Sequence, residues 1–542
     1  MRNSHCACRV HLLFLAFIAL LPRALAVSAD AVSAQPPADP FVVHTTAGLV
    51  RGMFRPGGGA EFLGIPYAQP PIGDLRWREP LPAKSWSDVH NATKFGASCS
   101  QPLLEGAWNK DDATDGQEDC LFLNVVVPVW PVPKPLPVMF WIHGGANHGG
   151  SGSGDLYNSG TLQSHGVLIV TINYRLGVFG FLAHPALTSE SPHHSSGDYG
   201  LMDQILALHW VHDNIANFGG DPNNITVFGQ SAGSMDIGML MTSPLAAGLF
   251  QKAIGESGAG FAPAAVPLAQ AERFGLDAAA ALSLPAGAEG IAALRKISAH
   301  NLLVKLGARN SIWPGFGPDV DGWVIPRPPA DVFAAGNEAA VPLLLGTTSR
   351  EFGSSEPLDA LRASITRAYG DFAPQALAIY GLAGNGQGAN DTLYGSAASQ
   401  WSADILFHCP IGTEALWHRD AHHPIFEYEF DRPIPGREAL GAVHSGELPY
   451  VFGFYPKSGD IGGKFGPVDL HLADIIETYW SNFAKTGDPN SADLPHWPAL
   501  DQTQSYLRFT VEGKAEVVAS PLRGEQCDLY RKVLAQKMKL QP

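Results

Sequence analysis

Short apolar runs alternate along the chain with stretches in which apolar residues recur at helical spacing. Apolar runs bounded by turn residues predict buried strands, and a repeat of three to four residues predicts amphipathic helices. The predicted strands cover residues 42–54, 61–66, 123–127, 138–142, 167–174, 225–229 and 341–346, and the predicted helices cover residues 204–216 and 272–283. Strands that alternate with helices predict the α/β class, with a mostly parallel central sheet flanked by helices.

The first 26 residues have the pattern of a secretory signal peptide. Arg2 and Arg9 precede the apolar run 10–21, and the small residues 24–26, Ala-Leu-Ala, follow it. The apolar run is shorter than the roughly 20 residues of a membrane-spanning helix. We therefore expect an exported protein, secreted or periplasmic, with a disordered lead-in at residues 27–37 and no membrane anchor.

Composition favours one large acidic domain. The formal net charge is −16, and removal of the leader, with its three arginines and no acidic residue, makes it −19. A strongly acidic protein is a poor partner for nucleic acids and anionic membranes. Hydrophobic residues make up 45% of the chain, and no repeat, charge block or long Gly/Ser linker divides it. Residues 38–542 are therefore predicted to form a single domain.

A strand, a sharp turn and a helix are predicted around Ser231. The apolar run 225–229 leads into Gly-Gln-Ser-Ala-Gly, residues 229–233. Such a turn holds its central residue in a strained conformation, and the helix that follows directs the N–H of Ala232 and its positive dipole end toward the serine. The pattern predicts a nucleophile, although a plain turn between a strand and a helix would use the same small residues.

Two further segments resemble a known family. Residues 218–224 read Phe-Gly-Gly-Asp-Pro-Asn-Asn before the serine turn, and residues 118–125 read Glu-Asp-Cys-Leu-Phe-Leu-Asn-Val. Together with the turn they resemble the signatures of the type-B carboxylesterases, the family that includes the cholinesterases. The resemblance extends over nearly the whole mature chain and implies the α/β-hydrolase fold. The family usually has Glu where this chain has Gln230.

The loop 143–147, His-Gly-Gly-Ala-Asn, follows a predicted strand and resembles the loop that completes the oxyanion hole in the family. By that resemblance Gly145 and Ala146 would donate their backbone N–H groups alongside Ala232. A flexible Gly-rich turn is the alternative interpretation. Ala146 stands where the family usually has a third glycine, and we hypothesise that the site accepts bulky, even tertiary, alcohols.

The same resemblance implies a catalytic base and a carboxylate that orients it. His444 lies in a loop of small residues similar to the family's histidine loop, and a neutral imidazole titrates close to working pH. Glu351 matches the glutamate that orients this base, and the order Ser231, Glu351, His444 is the order expected for the fold. Residues 350–352 are Arg-Glu-Phe where the family usually has Asp-Glu-Gly. A surface ion pair between Arg350 and Glu351 is therefore the alternative.

Four cysteines follow the leader. An even number in an exported chain predicts two disulfides, and the spacing leaves three connectivities open. Neither C-x-x-C nor H-E-x-x-H occurs, so we expect no bound metal. The family resemblance implies the pairs Cys99–Cys120 and Cys409–Cys527.

Two Ala-rich segments, 258–306 and 354–400, are expected to form helical cap insertions that shape the pocket. Trp108 lies inside the loop closed by the first disulfide and resembles the tryptophan with which cholinesterases bind quaternary ammonium. A cation–π contact is one role for Trp108, and an apolar wall at the pocket mouth is the other.

The resemblance implies a serine carboxylesterase that needs no cofactor. Ser231 would attack an ester, His444 would take its proton, and water would then release the acid from an acyl-enzyme. The partner is expected to be a small-molecule ester, which could be simple, lipid, aromatic or polycarboxylic, as in fungal toxins. Two alternatives are amide or carbamate hydrolysis on the same triad and a non-catalytic adhesion or binding protein.

Overall fold

Eleven of the strands that the computed structural model describes form one central sheet. The description covers residues 39–102, 116–306 and 315–539. By its internal contacts the chain separates into two units, residues 1–40 and residues 41–542, and the fold below is that of the second unit. The predicted leader lies outside the described residues.

Strands and helices alternate along most of the described chain. The strands are β1 Val42–His44, β2 Leu49–Arg51, β3 Met53–Phe54, β4 Ala60–Pro66, β5 His90–Asn91, β6 Phe122–Val127, β7 Leu136–Ile142, β8 Leu168–Ile172, β9 Gly220–Gln230, β10 Lys252–Glu256, β11 Val266–Pro267, β12 Asp319–Val320, β13 Leu343–Thr348, β14 Asn390–Asp391, β15 Gly395–Ser396, β16 Ile425–Phe430, β17 Tyr506–Phe509 and β18 Ala515–Val518. The helices are α1 Asp155–Asn158, α2 Gly177–Phe181, α3 Pro185–Glu190, α4 Tyr199–Asn214, α5 Ala232–Thr242, α6 Leu268–Ala281, α7 Ala288–Arg295, α8 Ala299–Leu306, α9 Pro329–Ala334, α10 Leu358–Tyr369, α11 Ala373–Ile379, α12 Ala397–Ala403, α13 Cys409–Asp420, α14 Leu448–Phe452, α15 Pro467–Thr486 and α16 Gly524–Met538.

Parallel strands occupy the middle of the large sheet. Its order is β18, β17, β16, β13, β10, β9, β7, β8, β6, β4, β3. The pairs from β17 to β8 are parallel, whereas β18 at one edge and β6, β4 and β3 at the other pair antiparallel. Parallel neighbours need crossover connections, which place helices on the faces of the sheet. The predicted α/β class with a mostly parallel sheet is confirmed.

Both faces of the sheet are buried, which explains why its strands are continuous apolar runs. Phe140 of β7 belongs to the larger core cluster, whereas its neighbours Met139 and Trp141 belong to a second cluster. Successive side chains of a strand point to opposite faces, so the two clusters lie on the two sides of the sheet. Leu208 of α4 packs in the first cluster and Trp480 of α15 packs in the second.

Several predicted strands differ in their bounds from the observed ones. The strand predicted at 42–54 is divided into β1, β2 and β3, and the break between β1 and β2 is a turn in which Thr45 and Gly48 exchange backbone hydrogen bonds. The strand predicted at 341–346 is shifted toward the C-terminus, because β13 pairs with β16 as far as Thr348.

Four central strands end side by side at the edge of the sheet that carries the loop 143–147 and Ser231. Gln230 at the end of β9 pairs with Glu256 at the end of β10, which in turn pairs with Gly346 of β13. Ile142 ends β7 opposite Gly229 of β9. The loops that follow parallel strands meet at their carboxyl ends, where α/β proteins place their ligand sites.

Two disulfides link segments that lie outside the strands of this sheet. Cys99 is bonded to Cys120, and Cys409 at the start of α13 is bonded to Cys527 in α16. These are the pairs that the family resemblance implied. Within the described ranges, no helix is both long enough and apolar enough to cross a membrane.

Candidate active site

Ser231 occupies a strained turn between β9 and α5. Its backbone has φ 56° and ψ −122°, a region that residues with a side chain rarely adopt. The flanking glycines allow the turn to pack closely. A Cβ on Gly233 would lie 2.0 Å from the carbonyl oxygen of Ile142, and a Cβ on Gly229 would lie 2.7 Å from the same atom. The serine is therefore held at the carboxyl edge of the sheet.

Glu351 follows β13 and is fully buried. Its Oε1 accepts hydrogen bonds from the backbone N–H of Thr348 at 2.9 Å and from the Ser257 hydroxyl at 2.7 Å. Its Oε2 lies 2.5 Å from Nδ1 of His444. The backbone N–H of His444 also donates to the Glu351 carbonyl at 3.1 Å. The carboxylate is thus fixed from one side and directed toward the imidazole on the other.

The alternative ion pair between Arg350 and Glu351 is not formed. The Arg350 guanidinium instead donates to the backbone carbonyls of Thr392 at 2.9 Å and Leu393 at 3.1 Å. Arg350 is partly exposed, whereas Glu351 is fully buried and has other hydrogen-bond partners.

The second ring nitrogen of His444 faces Gln230. The side-chain nitrogen of Gln230 lies 3.1 Å from Nε2 of His444. Because Nδ1 faces a carboxylate, the proton of the neutral ring belongs on Nδ1, and Nε2 accepts from the Gln230 amide. In the part of the chain that the structure describes, the Ser231 hydroxyl makes no hydrogen bond with His444. The structure therefore joins Glu351 to Nδ1 of His444. The residue that contacts Nε2 is Gln230, which precedes Ser231 in the chain.

The loop 143–147 approaches the serine closely. A Cβ on Gly144 would lie 3.1 Å from the Cβ of Ser231. Gly145 and Ala146 have φ of 106° and 59°, and neither their N–H groups nor that of Ala232 donates to another residue of the described chain. Ala146 and Ala232 also line the cavity that contains Ser231.

A network of side-chain hydrogen bonds holds Asn147, the last residue of this loop. Asn147 donates to the Asp236 carboxylate at 2.9 Å, and its own side-chain oxygen accepts from the Tyr174 hydroxyl at 3.0 Å. Gln204 donates to the other oxygen of Asp236 at 2.6 Å. Burial raises the pKa of Asp236 to about 7, and the two amide hydrogen bonds oppose that rise. These contacts fix the loop without contributing a group to the serine.

Two more buried glutamates lie near Glu351. Burial raises the pKa of Glu256 to about 8, although the Trp480 indole N–H donates to it at 2.8 Å. Burial raises the pKa of Glu447 well above its ordinary range, and the charges of Glu256 and Glu351 add to the effect. Burial therefore favours the protonated form of both groups.

An apolar cavity of about 240 Å³ opens in front of Ser231. Its lining includes Met235, Met239, Phe274, Phe316, Phe352 and Phe407. Rings of Phe352 and Phe407 also pack against His444, with centroids 4.2 and 5.0 Å away. Of the two predicted cap segments, 258–306 supplies lining residues and contains α6 to α8, whereas no described residue of 354–400 reaches the cavity. Trp108 lies outside the described residues.

Sequence reasoning missed Ser257 and the pair formed by Asn147 and Asp236. Ser257 directly follows β10, the strand next to β13, and the sequence analysis predicted no strand at residues 252–256. Asp236 lies five residues after Ser231 in an apolar helix, where a buried charge calls for a partner. The partner itself could not be read from the sequence.

Comparison with known proteins decides the family. Residues 39–530 match the sequence profile of the Carboxylesterase family. The chain belongs to this family. Among its carboxylesterase relatives, the fumonisin B1 esterase of Sphingopyxis macrogoltabida is 36% identical over 90% of this chain and 89% of that protein. The liver carboxylesterase of Sus scrofa is 33% identical over 96% of this chain and 98% of that protein.

Solved carboxylesterase structures have the same fold. A pNB esterase superposes with a TM-score of 0.78 at 32% identity, over 90% of this chain and 99% of that one. The Geobacillus stearothermophilus carboxylesterase EST55 gives a TM-score of 0.78 at 31% identity, with the same shares covered. Similarity over nearly the full length makes this carboxylesterase a carboxylic ester hydrolase, as the sequence motifs predicted.

Proposed function

We propose that this chain is a secreted serine carboxylesterase that hydrolyses uncharged carboxylic esters through an acyl-enzyme on Ser231. The observation that carries the proposal is the 2.5 Å contact between Glu351 and His444 beside the strained turn of Ser231. A carboxylate on Nδ1 orients the ring and stabilises the imidazolium that forms when Nε2 takes a proton. The unpaired N–H groups of the neighbouring loop favour the same chemistry.

In the proposed reaction the Ser231 oxygen bonds to the ester carbonyl carbon while its proton passes to Nε2 of His444. The carbonyl electrons move to the oxygen, which binds the N–H groups of Gly145, Ala146 and Ala232. The tetrahedral intermediate collapses, the ester C–O bond breaks, and the imidazolium protonates the leaving alcohol. Water then attacks the acyl-enzyme with the same base and releases the acid.

Gln230 has to release the imidazole before the first step. Its amide lies on Nε2 of His444 in the free enzyme, where the serine proton must go. Hydrogen bonds in unliganded active sites are often formed with other partners and tighten only when substrate is present. A rotation of the Gln230 side chain would open Nε2 to Ser231.

The cavity supports an apolar substrate. Its lining is mostly apolar and includes two methionine and four phenylalanine side chains. Burial of such surface favours ligands at about 25 cal/mol per Å². We therefore expect esters with uncharged acyl and alcohol parts, and the small residue Ala146 keeps bulky alcohols among the candidates.

A polycarboxylic ester is the second candidate substrate. It is supported by the 36% identity to the fumonisin B1 esterase of Sphingopyxis macrogoltabida. The first candidate is supported by the apolar lining, since several substrate carboxylates would call for cationic partners in the pocket.

The mechanism is tested by replacing Ser231 with alanine. We expect p-nitrophenyl butyrate hydrolysis to fall by about three to four orders of magnitude or more, because the nucleophile is lost. Ser234→Ala is the matched control, since this neighbouring hydroxyl donates to the Gly258 carbonyl and not to the triad. Near-native activity of the Ser231→Ala protein would contradict the mechanism, whereas an inactive parent would favour the non-catalytic binding protein.

Substrate class is tested with a panel on the same enzyme. The panel contains p-nitrophenyl butyrate, a tert-butyl ester with its n-butyl analogue, p-nitroacetanilide and fumonisin B1. Fast turnover of the uncharged esters alone supports the first candidate, and a higher kcat/KM for fumonisin B1 supports the second. Preferential cleavage of the anilide would point to amide hydrolysis instead.

Secretion is supported by the leader-like residues 1–26 and by the two disulfides, which persist in oxidising compartments. Export is tested by N-terminal sequencing of the protein recovered outside the cytoplasm, where we expect the chain to begin at Val27. A chain that stays in the cytoplasm with residues 1–26 attached would contradict export.

A further inference from the structure

Three side chains of types that can bind a metal ion lie close together at the end of the sheet opposite to Ser231. Glu338 lies in the loop before β13, His418 lies in the last turns of α13, and His423 lies just before β16. Their ligand atoms all lie within 4.8 Å of one another. Glu351 follows the other end of β13, and a strand of six residues spans about 20 Å. The cluster is therefore separate from the proposed triad.

Two imidazoles approach the same carboxylate oxygen. Oε1 of Glu338 lies 2.9 Å from Nδ1 of His418 and 3.2 Å from Nδ1 of His423. The other nitrogen of His418 lies 2.9 Å from the carbonyl oxygen of Val341, to which it can only donate. With its N–H on that nitrogen, the ring turns Nδ1 toward the Glu338 carboxylate. A metal ligand needs this orientation, because the nitrogen that binds the ion must face the other ligands.

The second oxygen of Glu338 is also available. Oε2 is buried and has no hydrogen-bond partner in the described part of the chain, and the residue as a whole is 5% exposed. A buried carboxylate oxygen without a partner is costly. A metal ion that binds this carboxylate through one or both oxygens would remove that cost.

We propose that Glu338, His418 and His423 bind a divalent transition-metal ion, with Zn²⁺ as the preferred ion. Two imidazole nitrogens and one carboxylate oxygen are a typical zinc donor set. Bonds of about 2.0–2.1 Å at tetrahedral angles separate the ligand atoms by roughly 3.3 Å, close to the observed 2.9 and 3.2 Å. The Val341 carbonyl fixes the His418 ring through its second nitrogen, as outer partners do in zinc sites.

The ion can enter from the surface. The side chain of His423 is 17% exposed, and Glu338 and Val341 line a surface depression beside α5. Three protein ligands leave a fourth position for water. The ion would link the loop before β13, the end of α13 and the start of β16, so its expected effect is on folding stability and not on ester hydrolysis.

The test uses the full chain freed of metal with EDTA. Calorimetric titration with ZnCl₂ is expected to give one strong site per chain and a higher thermal unfolding midpoint. His423→Asn should weaken Zn²⁺ binding at least tenfold and remove the rise in the midpoint. The control is His422→Asn, because His422 is the exposed neighbour with φ 65°, a conformation that Asn adopts readily. This control should bind Zn²⁺ as the parent does.

Co²⁺ gives a second readout, since a tetrahedral site containing imidazole produces visible absorption that His423→Asn should abolish. p-Nitrophenyl butyrate turnover, measured on each protein, should be the same with and without Zn²⁺ and reports that the variants fold. No strong Zn²⁺ site on the parent, or equal binding by His423→Asn and His422→Asn, would overturn the proposal and leave a plain ion pair. Either result is independent of the proposed esterase mechanism.

Discussion

At the scale of single residues, the orientation of the Glu351 carboxylate depends on two neighbouring hydrogen-bond donors. Ser257 and the Thr348 N–H occupy one oxygen of Glu351, so the other oxygen is free to hold His444. A hydrogen bond to a charged group contributes about 1.5–3 kcal/mol. Ser257 does not line the cavity, so we expect it to act as a positioning residue for the imidazole.

Ser257→Ala is expected to lower kcat/KM by roughly ten- to a hundredfold, because Glu351 loses a donor of that strength. KM should change little, since the cavity lining is untouched. Steady-state kinetics with p-nitrophenyl butyrate measures the effect, and Ser234→Ala serves again as the buried hydroxyl control. Equal rates for the two variants would exclude a positioning role for Ser257.

Gln230 gives a second prediction at this scale. Gln230→Glu places a carboxylate beside Nε2 of His444, which stabilises the imidazolium. The acid limb of the kcat/KM profile should therefore move to higher pH, with the largest loss of activity below pH 7. Gln230→Ala is the control, because it removes the amide without adding charge. Superimposable profiles for the Gln and Glu enzymes would refute this coupling.

At the scale of elements, the two disulfides close loops of very different length. Cys409 and Cys527 are separated by 118 residues and join α13 to α16, whereas Cys99 and Cys120 are separated by 21. A cross-link reduces the conformational entropy of the unfolded chain, and the effect grows slowly with loop length. The link between α13 and α16 should therefore contribute more to stability.

Replacing both cysteines of a pair by alanine tests this difference. By the chain-entropy relation, loss of Cys409–Cys527 should cost about 5 kcal/mol of unfolding free energy and loss of Cys99–Cys120 about 3 kcal/mol. Urea unfolding followed by tryptophan fluorescence measures both costs. The opposite ranking would mean that local packing, and not loop closure, decides the effect of each bond.

At the scale of the whole molecule, several acidic side chains are buried within the large apolar core. Burial raises the pKa of Glu414 to about 8, and the Glu338 charge adds to this effect. It also raises the pKa of Glu427 to about 7. These groups keep their protons in the folded state at pH values where the unfolded chain has released them. Their contribution to stability is present below pH 4.5 and is lost as pH rises toward 8.

Glu414→Gln isolates one of these groups. Relative to the variant, the parent should lose about 2 kcal/mol of unfolding free energy between pH 6 and pH 7.5, at about 1.4 kcal/mol per pH unit for one proton. Urea titrations of both proteins in EDTA at the two pH values measure the difference. A parallel pH dependence of the two proteins would show that Glu414 is ionised in the folded state.

The sequence by itself determined many of the local features: several buried strands, although not β10 or β16, the strained turn of Ser231 and the family motifs around it. These follow from side-chain periodicity and turn sterics, which act over a few neighbouring residues. It also determined four candidate disulfide cysteines but not their pairing, for which the family resemblance was needed.

Only the tertiary structure decided which distant groups touch. The contacts of Glu351 with His444, Ser257 with Glu351 and Gln230 with His444 join residues 93, 94 and 214 positions apart. The cluster of Glu338, His418 and His423 likewise has no spacing that a motif would reveal. Such contacts arise from the order of strands in the sheet and from burial, which bring together loops that the linear pattern leaves unrelated.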